Sequence, residues 1–352
     1  MSINLPKKET MTLDTKIKVL IVDDSPVFRE ILSRGLATDP QIEVVGKAVD
    51  PFDARDKILA LNPDILTCDI EMPRMNGIEF IRKLLAQYPI PVIVVSSVSD
   101  AVFDAMSAGA VEFVTKPDES SPKGVQAIVT ELIAKIKIAS KATVRQRTLP
   151  QSNIKETQAA FDDKKVIAIG ASTGGTEAIL RVLKPLPAQI PGIVIVQHIP
   201  PVFSAMFAQR MNTLTSLNVK EAENGDFLET GRVLIAPGDR HMQIRKLGTR
   251  YKVEVFEGER VNGHCPSVDV LFDSMAKQCG ENAVGILLTG MGHDGARGLL
   301  NMRKTGAFTM GQDEKSSIVY GMPKIAFEIG AVNKQLSLDS IPQELVQFLK
   351  KR

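Results

Sequence analysis

Ser172 stands in Gly170-Ala171-Ser172-Thr173-Gly174, directly after the apolar run VIAIG, with a further glycine at 175 and the helical pattern TEAILRVL beyond it. A hydroxyl on such a strand-to-helix turn projects above a sheet edge, beside helix N-terminal amides that can stabilise an anion. A dinucleotide fingerprint needs glycine where Ser172 stands, and a phosphate-cradling loop needs Gly-Lys-Ser/Thr, so neither nucleotide reading fits. Serine is a poor nucleophile until a base takes its proton. Of the four histidines, His198 closes the apolar run IVIVQH and is followed by IPP, which sets it at a strand end as Ser172 is; His241 lies in APGDRHM, His264 in a Gly-containing polar loop and His293 inside GMGHDG. His198 is therefore the expected base. Asp294, in the glycine-rich turn after GILLTG, is the expected partner that holds the imidazole tautomer and stabilises its charge, against a competing role as a helix cap ahead of GARGLLNMRK. With the acid after the histidine, the order Ser172, His198, Asp294 is not that of the common α/β-hydrolase fold.

A second set of reactive groups lies nearer the N-terminus. Asp23 and Asp24 follow KVLIV, Asp69 follows DILTC, Ser96 follows PVIVV and Lys116 follows EFVT. In a doubly wound sheet the loops beyond the carboxyl ends of the strands converge on one crevice, so these groups are expected to meet. Clustered carboxylates call for a hard divalent cation, naturally Mg²⁺. A carboxylate, a metal, a hydroxyl and an ammonium around one point form a phosphoryl-transfer site in which Asp69 attacks while Mg²⁺ and Lys116 offset the growing charge.

Two series of elements must position these groups. From about residue 16 to 141, β-branched runs at 18–22, 43–48, 65–68, 92–95 and 112–115 alternate with helical stretches near 26–37, 51–61, 77–87, 101–107 and 124–140. Such alternation predicts a doubly wound, flavodoxin-like α/β domain with a five-stranded parallel sheet. Residues 142–163 are polar, with little apolar periodicity, and read as a linker. A second α/β domain over 164–350 is expected from strands at 166–170, 193–198, 233–237, 253–256 and 285–290, with helices near 176–183, 201–214, 267–278 and 295–305. Its sheet should be mostly parallel, with a hairpin near 232–256.

The composition excludes several classes. The chain has 352 residues, long enough for two cores, and its Lys+Arg 43 nearly balance Asp+Glu 41. A net charge of +2 gives no electrostatic case for nucleic acid, and no helix-turn-helix with a basic face is found. The start, MSINLPKKETMTLDTK, lacks a signal-peptide pattern and no later run reaches the roughly 20 apolar residues of a membrane span. A cytoplasmic protein without membrane insertion is expected. Cys68, Cys265 and Cys279 form no CxxC pair, which argues against a disulfide framework or structural zinc.

The first series, in VDDSP, CDIEMPRMNG, VVSS and VTKP, resembles the response-regulator receiver family over about 16–140. The resemblance implies Asp69 as the aspartyl phosphate site, Asp23, Asp24, Asp69 and the Glu71 backbone around Mg²⁺, Ser96 and Lys116 as switch residues, and a chemotaxis histidine kinase as phosphodonor. The segment between VVSS and FVTKP, which carries the switch helix, is shorter than in many relatives. Over essentially its whole length the chain resembles the chemotaxis protein-glutamate methylesterase (CheB) family, in GASTGGTEA, QHIPP, APGDRHM, HCPSVDVLF, LTGMGHDGA and YGMP. That resemblance implies a serine hydrolase, regulated by phosphorylation, that removes methyl esters from glutamates of methyl-accepting chemoreceptors and deamidates receptor glutamines. It implies Ser172 as nucleophile, His198 as base, Asp294 as its partner, the Met291 amide as an oxyanion donor with Thr173 assisting, no cofactor in the catalytic domain, and a monomer. It assigns nothing to His293.

Overall fold

The computed structural model describes residues 16–97, 100–116, 122–144 and 160–350. The chain divides into two compact units, residues 1–141 and 142–352. Most of the expected linker, 145–159, lies outside the described residues.

In the first unit, strands β1 (Ile17–Val22), β2 (Ile42–Ala48), β3 (Ile65–Cys68), β4 (Val92–Ser96) and β5 (Glu112–Thr115) alternate with helices α1 (Pro26–Leu36), α2 (Pro51–Leu61), α3 (Gly77–Leu85), α4 (Ala101–Ala108) and α5 (Pro122–Ala139). The strands form one parallel sheet in the order β2-β1-β3-β4-β5. Strands β3 and β4 are buried throughout, as strands covered by helices on both faces must be. Two βα turns are closed by local chemistry: the Ser25 hydroxyl accepts from the Phe28 amide at 3.3 Å with Pro26 opening α1, and Asp50 caps α2 ahead of Pro51. These caps fix where the chain leaves each strand, and so where Asp23 and Asp24 sit. Helix α4 has 8 residues, and residues 98–99 of the segment that leads into it lie outside the described residues.

The second unit is built on a seven-stranded sheet. Strands β6 (Val166–Ala171), β7 (Ile193–Gln197), β8 (Asn218–Glu221) and β9 (Arg232–Ile235) are followed by a hairpin, β10 (His241–Leu247) and β11 (Arg250–Phe256), and then by β12 (Ala283–Leu287), β13 (Phe308–Gln312) and β14 (Lys334–Leu336). Helices α6 (Gly175–Leu183), α7 (Pro201–Leu214), α8 (Val268–Cys279), α9 (Ala296–Lys304), α10 (Met322–Glu328) and α11 (Ile341–Leu349) complete it. The sheet order is β14-β13-β12-β6-β7-β9-β8, and every pairing in it is parallel. The expected hairpin near 232–256 is corrected in extent. Residues 232–235 pair in parallel with β7 and β8, and only 241–256 form the antiparallel hairpin. That hairpin lies outside the sheet and packs through Met242, Ile244, Tyr251 and Val253 against Leu271, Phe272 and Met275 of α8. The Ser274 hydroxyl accepts the Ile244 amide at 2.9 Å, which pins it there.

Both sheets reverse direction of growth at a defined place. In the first unit the chain runs outward from β1 to β2, then returns to β3; in the second it runs from β6 through β7 to the β9-β8 edge, then returns to β12. The crevices beyond the carboxyl ends of β1/β3 and of β6/β12 are therefore the two switch points at which ligands of such sheets bind.

Candidate active site and phosphoacceptor pocket

Ser172 follows the last residue of β6 at the second switch point. Its turn closes through Gly174, at φ 74°, a left-handed backbone that glycine adopts without steric cost. The Ser172 amide donates to Thr289 O at 3.0 Å, tying the nucleophile turn to the chain leaving β12. The two approach so closely that a Cβ on Gly290 would lie 2.7 Å from Ser172 Cβ, so only glycine fits between them. Gln197, the last residue of β7, donates through Nε2 to Ser172 O at 3.0 Å and to His198 O at 3.1 Å, holding the serine and histidine backbones in one clamp.

His198 Nε2 and Asp294 Oδ2 are 2.9 Å apart. With that nitrogen donating to the carboxylate, Nδ1 carries the lone pair; it is buried and has no hydrogen-bond partner among the described residues. The structure thus joins His198 to Asp294 directly and brings Ser172 to the same crevice, without a hydrogen bond from its hydroxyl to the free nitrogen. Such a contact commonly tightens only when substrate is bound.

Asp294 is 1% exposed and fully engaged. Oδ1 accepts from Asn262 Nδ2 at 2.8 Å, Ser267 Oγ at 2.7 Å and the Asp269 amide at 3.2 Å; Oδ2 accepts from His198 and from the Val268 amide at 2.7 Å. Burial by itself would raise its pKa, but the His198 contact and the Asn262 and Ser267 donors outweigh burial and hold it far below the usual carboxylate range. An anion kept charged in a dry site is what an imidazolium needs beside it. The helix-cap reading fails on geometry: Gly295 occupies the position ahead of α9, while the Asp294 oxygens point to α8 and His198.

Thr173 is buried, Met291 is 37% exposed, and neither backbone amide donates a hydrogen bond among the described residues. Thr173 follows Ser172 in the chain, and Met291 follows Gly290, which abuts Ser172. His241 is occupied otherwise: its Nε2 donates to Glu259 O at 2.8 Å and its Nδ1 accepts the Ser267 amide at 3.3 Å, bracing the loop that carries Asn262. His293 is exposed.

Sequence reasoning missed Asn262, Ser267, Asp269, Gln197 and the closeness of His264. Asn262 bridges two carboxylates, donating to Asp269 Oδ2 as well as to Asp294, both at 2.8 Å. Burial, chiefly, raises the pKa of Asp269. The available signal was Asn262-Gly263, a dipeptide that favours a two-residue turn with positive φ at both positions; φ is 54° and 83° here.

In the first unit, ligand oxygens of Asp23, Asp24 and Asp69 lie within 4.8 Å of one another. Lys116 Nζ forms ion pairs with Asp69 Oδ2 at 2.6 Å and Asp23 Oδ2 at 2.8 Å. Asp69 Oδ1 accepts the Ile70 amide at 2.7 Å and the Glu71 amide at 3.3 Å. Burial raises the pKa of Asp69 against the pull of Lys116; burial opposes the Lys116 charge, but the two carboxylates win and raise its pKa. The Ser96 hydroxyl is buried without a partner among the described residues, and the Lys116 amide donates to Ser96 O at 2.8 Å. Three carboxylates against one ammonium leave two negative charges to be offset, and all-oxygen donors match a hard divalent cation. The residues fit such an ion.

Two doubly wound units, one carrying an acidic pocket faced by a lysine and the other a histidine–aspartate pair beside a strand-end serine, define the class: a hydrolase coupled to a receiver. Residues 167–345 match the CheB methylesterase family model, and 19–128 that of the response regulator receiver domain. The chain is 54% identical over 334 residues to a protein-glutamate methylesterase/protein-glutamine glutaminase 2 of Syntrophomonas wolfei, covering 95% of this chain and 98% of that one. A protein-glutamate methylesterase/protein-glutamine glutaminase of Yersinia pestis is 46% identical, covering 94% and 97%. The crystal structure of the Thermotoga maritima CheB methylesterase catalytic domain superposes with a TM-score of 0.51 at 34% identity, covering 52% of this chain and 98% of that one. The chain belongs to the CheB methylesterase family, and its fold is that of a receiver followed by a CheB catalytic domain. No helix among the described residues is long and apolar enough to cross a membrane.

Proposed function

We propose that this chain is a phosphorylation-regulated protein-glutamate methylesterase of the cytoplasm, hydrolysing glutamyl methyl esters on methyl-accepting chemoreceptors and deamidating receptor glutamines, with receiver, linker and catalytic domain over 16–141, 142–163 and 164–350. The observation that carries this reading is the His198 ring, held by Asp294 through Nε2 while Nδ1 stays buried and unpartnered among the described residues at the crevice where Ser172 sits. As Ser172 Oγ attacks the ester carbonyl carbon, Nδ1 takes the hydroxyl proton, and the oxyanion is received by the Thr173 and Met291 amides. The carbon–methoxy bond then breaks, the imidazolium returns its proton, and methanol leaves an acyl-Ser172. Water, deprotonated by the same nitrogen, attacks the acyl carbon, and the proton passes back to Ser172 Oγ as glutamate departs. With a glutamine side chain the first leaving group is ammonia and the rest is unchanged.

Asp69 is proposed to accept the phosphoryl group of a phosphohistidine on a chemotaxis kinase: a carboxylate oxygen bonds to phosphorus as the nitrogen–phosphorus bond breaks. Asp23, Asp24, Asp69 and the Glu71 backbone would hold Mg²⁺, which supplies positive charge to the phosphoryl oxygens. Lys116 and the unpartnered Ser96 hydroxyl stand ready for the same oxygens.

The test is methanol release from methylated receptor, with and without a small-molecule phosphodonor. The donor should raise turnover, and Ser172→Ala should lower kcat by about 10⁴- to 10⁶-fold. A folded Ser172→Ala protein working at the parental rate would refute the nucleophile.

A further inference from the structure

One ring outside the proposed triad lies directly against its base. His264 stacks face to face on His198, with centroids 3.7 Å apart and planes 11° from parallel. The stack is built from the chain outward. Val261 and His264 exchange both backbone hydrogen bonds at 3.0 Å around Asn262-Gly263, and the positive φ of both central residues makes this a type I′ turn that projects His264 from its end. The turn is bolted down on three sides: Asn262 to Asp294 and Asp269, His241 to Glu259 O, and the Ser267 amide to His241. The same residue that anchors the turn therefore anchors the acid, and the ring it presents covers the base.

The geometry points to His264 as a positioning residue for ester hydrolysis, whose flat, uncharged face fixes the plane of the His198 ring with Nδ1 toward Ser172 and lies against the imidazolium formed during turnover. This rests on the Ser172–His198–Asp294 reading and adds a fourth side chain to it. The physical need is plain. One hydrogen bond to Asp294 leaves the His198 ring free to tilt about the Nε2–Oδ2 line, and a displacement of about 1 Å can cost up to roughly 10²-fold in rate. A parallel ring at van der Waals distance removes that freedom. A π face also attracts a cation, whereas a charged neighbour would repel one. Burial chiefly, then the adjacent His198, with smaller contributions from Arg260 and His293 against the pull of Asp294, lowers His264 to about 4, so it is uncharged at neutral pH. Face-to-face rings offer no line for a proton to pass between their nitrogens, so His264 acts through its shape.

The experiment compares His264→Ala, His264→Leu and His264→Phe in the full chain, by kcat and KM for methanol release and the pH profile of kcat, with Ser172→Ala alongside. Alanine and leucine should lower kcat by about 10- to 100-fold with KM changed less than about twofold; phenylalanine, flat but without nitrogens, should return kcat to within about threefold of the parent and leave the acid limb in place. Leucine fills the space without a flat face, and so decides the matter if the alanine variant fails to fold. Parental kcat in all three overturns the proposal. So does a phenylalanine variant as slow as leucine, which would make the ring nitrogens the working atoms, and so does a rise in KM at constant kcat, which would make His264 a substrate contact. An active Ser172→Ala would instead bring down the underlying triad; an inactive one beside unaffected His264 variants removes this inference alone.

Discussion

The two crevices of this molecule share a topology and differ in how far their charge is already balanced. At the β1/β3 switch point three carboxylates face one ammonium, a serine hydroxyl lies buried without a partner among the described residues, and the pKa of Asp69 is raised by burial. At the β6/β12 switch point Asp294 accepts from five donors and its pKa is lowered. The first site is incomplete without added charge and suits a switch, since a phosphoryl group and a cation can enter and leave. The second has its carboxylate fully hydrogen-bonded before substrate arrives and suits turnover. The sheet decides where chemistry can happen, and the side chains at its edge decide which chemistry.

This contrast can be broken at several points. The largest effect is expected from Asp294→Asn, which keeps the shape but can no longer balance an imidazolium: kcat for methanol release should fall about 10⁴-fold, while phosphoryl uptake by the receiver, read with radiolabelled donor, stays at the parental rate. A small loss would mean that the acid is dispensable and the two sites less different than they look. Chelating divalent cations should do the reverse, slowing phosphoryl uptake by about 10²-fold or more and leaving unstimulated methanol release unchanged. Asn262→Ala removes one charge-assisted hydrogen bond from each of two carboxylates and should cost about tenfold in kcat, with Asp269→Asn milder than Asp294→Asn.

The smallest effect concerns stability. The folded-state pKa of His264 is depressed to about 4 from 6.5, so between those values the unfolded chain binds a proton that the folded chain refuses. Stability from this residue is present above about pH 6.5 and is lost as pH falls toward 4. Thermal unfolding should show the parent losing more Tm across that window than His264→Phe, by up to about 10 °C, since the shift corresponds to about 3 kcal/mol at about 2–4 °C per kcal/mol for a unit of this size. Equal losses would mean that the ring titrates normally.

What the sequence disclosed and what it withheld follow from the same physics. Strand-end residues were legible because β1, β3, β4, β6, β7 and β12 are buried almost throughout and read as unbroken apolar runs, so Asp23, Asp69, Ser172, His198 and Asp294 could be placed at their ends. Strands β8 and β14 were not, because NVKE and KQL are short edge strands half open to solvent and carry no such run. The hairpin was placed too early because VLI at 233–235 is as apolar as a hairpin strand, and nothing local says that it pairs with β7. Asn262 and His264 were invisible as site residues for a different reason. Their role depends on a turn docking against Asp294, 32 residues along the chain from Asn262, and spacing alone does not encode that contact. His241 shows the converse: a strand-adjacent histidine that looked available has both nitrogens occupied as a brace.

The placement of β6 between β7 and β12 has a consequence for synthesis on the ribosome. The strand bearing Ser172 gains one neighbour after about thirty residues but waits for residues 283–287 to gain the other. A nascent chain that has emerged only through the hairpin presents this strand with one side bare and without Asp294, so the proposed Ser172 site cannot assemble until the chain has emerged past residue 294.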